Sequence, residues 1–286
     1  MSTLIVSGLA IGMLYAAAAI VYNLMYASSK VLSITTGHLC MLGSVAGAYL
    51  VGVQGLHWSL GIAGAAALGA LFGVVTEIVA IRRVLARSDE HVWILSTLAL
   101  ATIFQHAVAL WWGTEPRPFP RLFAQDYGSG WLDQKYWLPV VVVLLLSLLL
   151  EFLVQRTMQG KLFIAMAEDE FAARARGIPT ARIRVTSFAL AGAIGAIAGF
   201  AAGQLTFAYF AVGLTLTLNG FIALAVGGIG SHAGAILAGC LLGLTGAFTA
   251  YYIGSEFQQT VCLGLLMLIL MIKPEGLFGA RHARAV

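Results

Sequence analysis

From Val185 to Ser255 the chain carries no Asp, Glu, Lys or Arg. A soluble fold cannot cover an uncharged run of that length. A bilayer can, provided every backbone amide finds its partner within the segment. A membrane helix takes about 20 largely apolar residues, so the run holds more than one crossing. Its turns are marked by Gly, Asn219 and His232 instead of by charge.

The same pattern continues along the chain, which is 60% hydrophobic and 10% charged, against about 25% charged in a soluble domain. The expected class is all-α: a polytopic membrane protein with eight or nine transmembrane helices, some short or broken. Spans are expected near 4–27, 31–53, 60–81, 92–112, 137–154, 185–208, 233–252 and 257–272, with a shorter segment over 215–229. No composition shift marks a separate soluble domain, so residues 1–286 are expected to form a single membrane domain. The N-terminal stretch lacks the basic start and polar cleavage region of a signal peptide and is expected to be a retained helix.

Basic residues in short loops set orientation. Alternate connections hold Lys30, then Arg82, Arg83 and Arg87, then Arg156, Lys161, Arg174, Arg176, Arg182 and Arg184, and finally Lys273, Arg281 and Arg284. The opposite face keeps Arg117, Arg121 and Lys135 beside Glu115, Asp126, Asp133 and Glu256. This partition predicts an outer N-terminus and an inner C-terminus, which requires an odd number of crossings. Trp111, Trp112, Trp131 and Trp137 flank the proline-bearing outer segment, as interfacial anchors do.

Several function classes lack a handle. The charge is explained by lipid topology, with no basic stripe for nucleic acid. Cys40, Cys240 and Cys262 sit in apolar runs without metal-ligand spacing. No catalytic set converges on one face. Glu77, about a turn from Arg82 and Arg83, reads as a snorkelled or ion-paired carboxylate at the inner interface in preference to a substrate ligand, and Glu151 has the same structural reading beside Arg156. His38, His106 and His232 are either pathway groups or histidines bonded to a neighbouring helix.

The largest inner connection, residues 160–179, reads as a short helix with its ends written in. Glu168, Asp169 and Glu170 suit the positive N-terminal end, Arg174 and Arg176 the other, Gly177 the left-handed cap and Pro179 the stop. It is either a solvated connector or a docking surface. In the second span, Ser33-Ile34-Thr35-Thr36-Gly37-His38 has the glycine and hydroxyl content to break a helix at membrane depth. A later glycine-rich stretch, Gly228 to Gly234, pairs with it in the manner of broken helices around a substrate path. The pathway candidates are therefore Ser33, Thr36, Gly37, His38, Gly228, Gly230 and Ser231.

The inner segment resembles the ATPase-coupling loop of bacterial ABC importer permeases at Glu168, Asp169, Ala172, Ala173, Gly177 and Ile178. Thr157, Gly160, Ala167, Asp169 and Gly177-Ile178 are similar to the pattern in permeases of branched-chain amino acid importers. Gly8-Leu9-Ala10 to Tyr15-Ala16, Gly227 to Gly234 and Lys273-Pro274-Glu275-Gly276-Leu277-Phe278-Gly279 continue the resemblance in family order. Where that family shows Asn-Phe-Ala-His-Gly-Glu, Ser33 replaces Asn, Thr36 replaces His, Gly37 is kept and His38 replaces Glu.

The resemblance implies a pathway shared with a second related permease chain, two ATP-binding subunits below and a periplasmic substrate-binding protein above, in a bacterial inner membrane. It implies leucine, isoleucine or valine as cargo, with urea or short amides as alternatives. The chain has no G-x-x-x-x-G-K-[ST] motif. ATP is thus expected on partner subunits, with no cofactor or metal on this chain and no enzymatic activity. A proton-coupled secondary transporter using Glu77 or His38 is the rival expectation.

Overall fold

The computed structural model describes residues 1–85, 92–121 and 133–279. Arg87, Asp126, Trp131, Arg281 and Arg284 lie outside the described residues, as does the 280–286 part of the tail segment expected over 273–286. The described chain is helical between its turns, with one isolated antiparallel bridge between Arg117 and Ala208.

Five membrane-length helices come first: α1 Ser2–Ser29, α2 Thr36–Val53, α3 Trp58–Val84, α4 Val92–Trp112 and α5 Gln134–Arg156. Two short helices follow, α6 Met158–Glu168 and α7 Glu170–Ala175. The chain then forms α8 Thr180–Thr206, the shorter α9 Val212–Gly227, α10 His232–Tyr252 and α11 Ser255–Ile272. Eight of these helices are long and apolar enough to cross a membrane.

The 16-residue α9 is shorter than these, and its two ends meet different parts of the chain. It starts beside the outer bridge, where Arg117 and Ala208 exchange backbone hydrogen bonds of 3.2 and 2.9 Å. It ends against the tail, where Leu277 N donates to Val226 O at 2.8 Å and Phe278 N to Gly227 O at 3.0 Å.

Lipid tails are as apolar as leucine, so helices associate there through close packing of small residues. In α1, Gly8 and Gly12 lie against Gly243 and Gly239 of α10; a Cβ on Gly12 would sit 2.6 Å from the Gly239 carbonyl oxygen. In the same way Gly69 and Gly73 of α3 face Gly192 and Phe188 of α8, while Gly43 and Cys40 of α2 face Ala196 and Gly199. These contacts put α1, α2 and α8 in the interior. By contrast, α11 has only 6% of its apolar window buried and α5 only 22%, leaving their faces to lipid or another subunit.

Two boundaries differ from the sequence expectation by more than three residues. Val31–Thr35, expected to be helical, is not, and α2 starts at Thr36. α8 starts at Thr180 instead of 185 and so takes Arg182 and Arg184 into the helix. Charge overestimated that boundary because Arg184 is paired and buried. Trp112 also departs from an interfacial role: it is buried, with the Arg117 guanidinium 4.7 Å from its ring centre and Tyr49 edge-on at 5.8 Å.

Candidate functional site

At the end of α1, Lys30 turns left-handed at φ 57° and donates its N–H to Tyr26 O at 2.7 Å. The chain then runs unwound through Val31–Thr35. Backbone groups released from a helix at membrane depth need other partners, and hydroxyls supply them. Thr217 Oγ1 accepts the Gly37 N–H at 3.1 Å and stands 3.2 Å from the Ile34 carbonyl oxygen. Thr36 Oγ1 donates to Ser33 O at 2.8 Å, and the Ser33 and Thr35 hydroxyls lie 2.8 Å apart. A rise of about 1.5 Å per residue places Thr217 roughly 16 Å along α9 from Gly228, so the break lies well away from the inner end of that helix.

Ser33, Thr36, Gly37 and His38 thus come together at the start of α2. All four are buried, facing α1, α4 and α9 in this conformation. The His38 ring packs on Gly213, and its Nε2 makes a long 3.5 Å contact with Gln105 Oε1 of α4. His38 Nδ1 has no hydrogen-bond partner.

Gly228, Gly230 and Ser231 lie elsewhere, in the inner turn between α9 and α10. Gly228 and Gly230 adopt φ 97° and 90°, which only glycine takes up freely. Ser231 caps α10 by accepting the Gly234 N–H at 3.0 Å. The side chain of Asn23 in α1 holds this turn, and the lower part of α9 separates it from the break at Ser33–His38. The two glycine-rich stretches therefore do not form one site.

Residues 160–179, expected as one short helix, form the end of α6 and all of α7, with a break at Asp169. Thr157 caps α6 through Gly160 N at 3.0 Å, and Asp169 caps α7 through Ala172 N at 3.0 Å. The C-terminal end closes as expected: Gly177, at φ 80°, donates to Arg174 O at 3.0 Å, and Ile178 N donates to Ala173 O at 3.1 Å. Ala173 is buried while Glu168, Asp169 and Gly177 are exposed and Ala172 is half-buried. The segment is tied to the transmembrane helices from beneath: Lys30 Nζ donates to Ala167 O at 2.6 Å, and Arg184 Nη1 lies 3.5 Å from Glu170 Oε1.

Glu77 is fully buried and ion-paired, with Arg82 at 3.0 Å as expected and also with Arg184 at 3.1 Å. Glu151 accepts from Gln155 at 3.0 Å instead of pairing with Arg156. His106 Nδ1 lies 2.8 Å from the Thr102 carbonyl oxygen of its own helix, and His232 Nδ1 is buried without a hydrogen-bond partner. Sequence reasoning missed Asn23, Gln105, Thr217 and Phe171. The first two were signalled as strong polar groups inside apolar runs. Thr217 gave no signal, since a helical threonine ordinarily bonds its own helix, as Thr217 also does at Gly213 O. Phe171, 83% exposed on α7, looked like one more apolar residue.

Residues 4–271 match the family described as branched-chain amino acid transport system / permease component. The chain is 28% identical to the high-affinity branched-chain amino acid transport system permease protein LivH of Escherichia coli (strain K12), covering 98% of this chain and 96% of that one. It is also 30% identical to LivM, a second permease protein of that system in the same strain, over 56% of this chain and 37% of LivM. Among solved structures, PsaBC from Streptococcus pneumoniae in complex with Fab superposes with a TM-score of 0.52 at 12% identity, covering 96% and 91% of the two chains, which is a likeness of fold. A family match across nearly the whole chain, on a polytopic helical fold, makes this protein a member of the permease-component family of the branched-chain amino acid transport system.

Proposed function

We propose that the chain is the pathway-forming subunit of an ABC importer in a bacterial inner membrane, carrying leucine, isoleucine, valine or a related small amino acid or amide. The observation that carries this reading is the α6–α7 elbow. It lies on the basic face, it is braced from above by Lys30 and Arg184, and it presents Phe171 outward. A braced element with an exposed aromatic suits a surface that receives force from a partner. Glu168, Asp169, Ala172, Ala173 and Gly177 are its coupling residues, and two ATP-binding subunits are the partners.

The likeness to both LivH and LivM supports a second, related permease chain across the pathway, with a periplasmic binding protein delivering cargo. If the break at the start of α2 opens to the pathway during transport, the positive end of its helix dipole would attract a substrate carboxylate. That supports an amino acid over urea. Glu77, which a proton relay would use, is held between Arg184 and Arg82, and this favours ATP coupling.

The test is uptake by proteoliposomes containing this chain, the second permease and both ATPases, with the binding protein outside. Leucine uptake should require ATP on the ATPase side and ignore a protonophore. Uptake indifferent to ATP and abolished by the protonophore would sink the proposal; urea or acetamide entering in place of leucine would reassign the cargo.

A further inference from the structure

A line of ion pairs runs from the exposed elbow into the buried interior. Arg174 Nη2 lies 2.6 Å from Glu170 Oε1, Arg184 Nη1 lies 3.5 Å from the same oxygen, Arg184 Nε lies 3.1 Å from Glu77 Oε1, and Arg82 Nη2 lies 3.0 Å from Glu77 Oε2. Side-chain exposure falls along it, from 68% at Arg174 through 36% at Glu170 and 9% at Arg184 to 0% at Glu77. One guanidinium therefore grips carboxylates on two different elements, which its planar fork of donors permits and a lysine ammonium does not reproduce.

Stability alone is a poor reason for this arrangement, because a buried ion pair often contributes less than an apolar pair of similar volume. The surroundings point to movement. Glu77 sits on a π-helical turn, Thr76–Ile81, where α3 widens near its inner end. Above it, Gly73 and Gly69 of α3 meet Phe188 and Gly192 of α8 backbone to backbone. Such contact packs the two helices directly against each other. Farther along, Gly199 and Ala196 of α8 lie against Cys40 and Gly43 of α2, a few residues from the break.

We propose that Arg184 is the positioning residue that fastens α7 to the α3–α8 pair, so that displacement of α7 reaches the break at Ser33–His38 through α8 and α2. The inference rests on the ABC-importer reading and adds its mechanical link.

The test uses the complete reconstituted complex, with ATP hydrolysis and leucine uptake measured in the same vesicles. Glu170→Gln removes the outer grip at a half-exposed site and leaves the Glu77–Arg184 pair intact, so folding should survive. Uptake per ATP hydrolysed should fall roughly tenfold, within the range of coupling between linked sites, while the ATPases still copurify. Arg184→Lys should do the same. Arg182→Gln, which removes an exposed charge two residues away, should leave the ratio unchanged.

An unaltered ratio in Glu170→Gln overturns the link. Loss of copurifying ATPases in that variant also overturns it, by moving Glu170 into the docking contact. If the unsubstituted complex shows no ATP-dependent uptake, the importer reading fails instead.

Discussion

Asn23 Oδ1 accepts the Gly230 N–H at 2.7 Å while its Nδ2 donates to the Ser231 carbonyl at 3.3 Å. One amide in α1 thus holds two consecutive residues of the turn between α9 and α10, about two hundred residues on. Asn23→Leu keeps the branched shape and removes both bonds from the turn. The expected cost is about 1–3 kcal/mol, read as a lower thermal unfolding temperature in nanodiscs. Asn23→Asp should do worse, since it loses the donor and buries a charge among helices. A melting temperature unchanged in both variants contradicts the assignment.

Thr217 offers a sharper comparison. Its hydroxyl is the partner of Gly37 N and faces the Ile34 carbonyl, so Thr217→Val changes no volume but leaves the start of α2 unsatisfied. A loss of about 1–3 kcal/mol is expected for the valine variant, and little for Thr217→Ser, which retains the hydroxyl. Hydrogen exchange at Gly37 should quicken in the valine variant alone. Equal protection in both variants would mean that the unwound segment is held by something else.

The small-residue seams predict a position-dependent response to one added methyl group. In Gly192→Ala the new Cβ overlaps the Gly69 carbonyl, a backbone atom that cannot move aside. Overpacking of this kind costs about 1–3 kcal/mol or more, and the variant should purify with reduced yield and a broadened size-exclusion profile. Gly264→Ala in α11 meets nothing within 4 Å and should gain roughly 0.5–1 kcal/mol from helix propensity. The two profiles measured side by side decide the matter.

The membrane class and the eight long apolar helices were legible because lipid leaves the chain few choices, and charge position marks their ends. The cap at Gly177 was legible too, since a left-handed residue followed by proline is a local signal. Asp169 was legible in part: it marks a helix start, as the N-cap of α7, but the end of α6 at the same residue gave no signal of its own. The pairing of Glu77 with Arg182's neighbour Arg184 depends on two helices meeting a hundred residues apart, which composition does not encode. The separation of the Gly228–Ser231 turn from the helix break had the same origin. Both stretches have similar residues, and only the packing of α1 against α9 and α10 assigns them different depths.

Phe171 separates docking from folding. It is 83% exposed on α7, beyond the braces that Lys30 and Arg184 supply, so within this chain it contributes little burial. An exposed aromatic at the centre of a docking contact commonly carries about 2 kcal/mol or more of binding free energy. Phe171→Asp should therefore leave the melting temperature of the isolated chain within error, yet weaken capture of the ATP-binding subunits by roughly thirtyfold, the factor that such an energy implies. Phe171→Tyr, which keeps the ring, should retain most of the affinity. The check is a titration of tagged ATPase subunits against nanodisc-embedded permease, alongside the thermal scan. If Phe171→Asp binds normally, the elbow docks through its polar residues alone; if it unfolds the chain, the aromatic belongs to the fold and not to the partner surface.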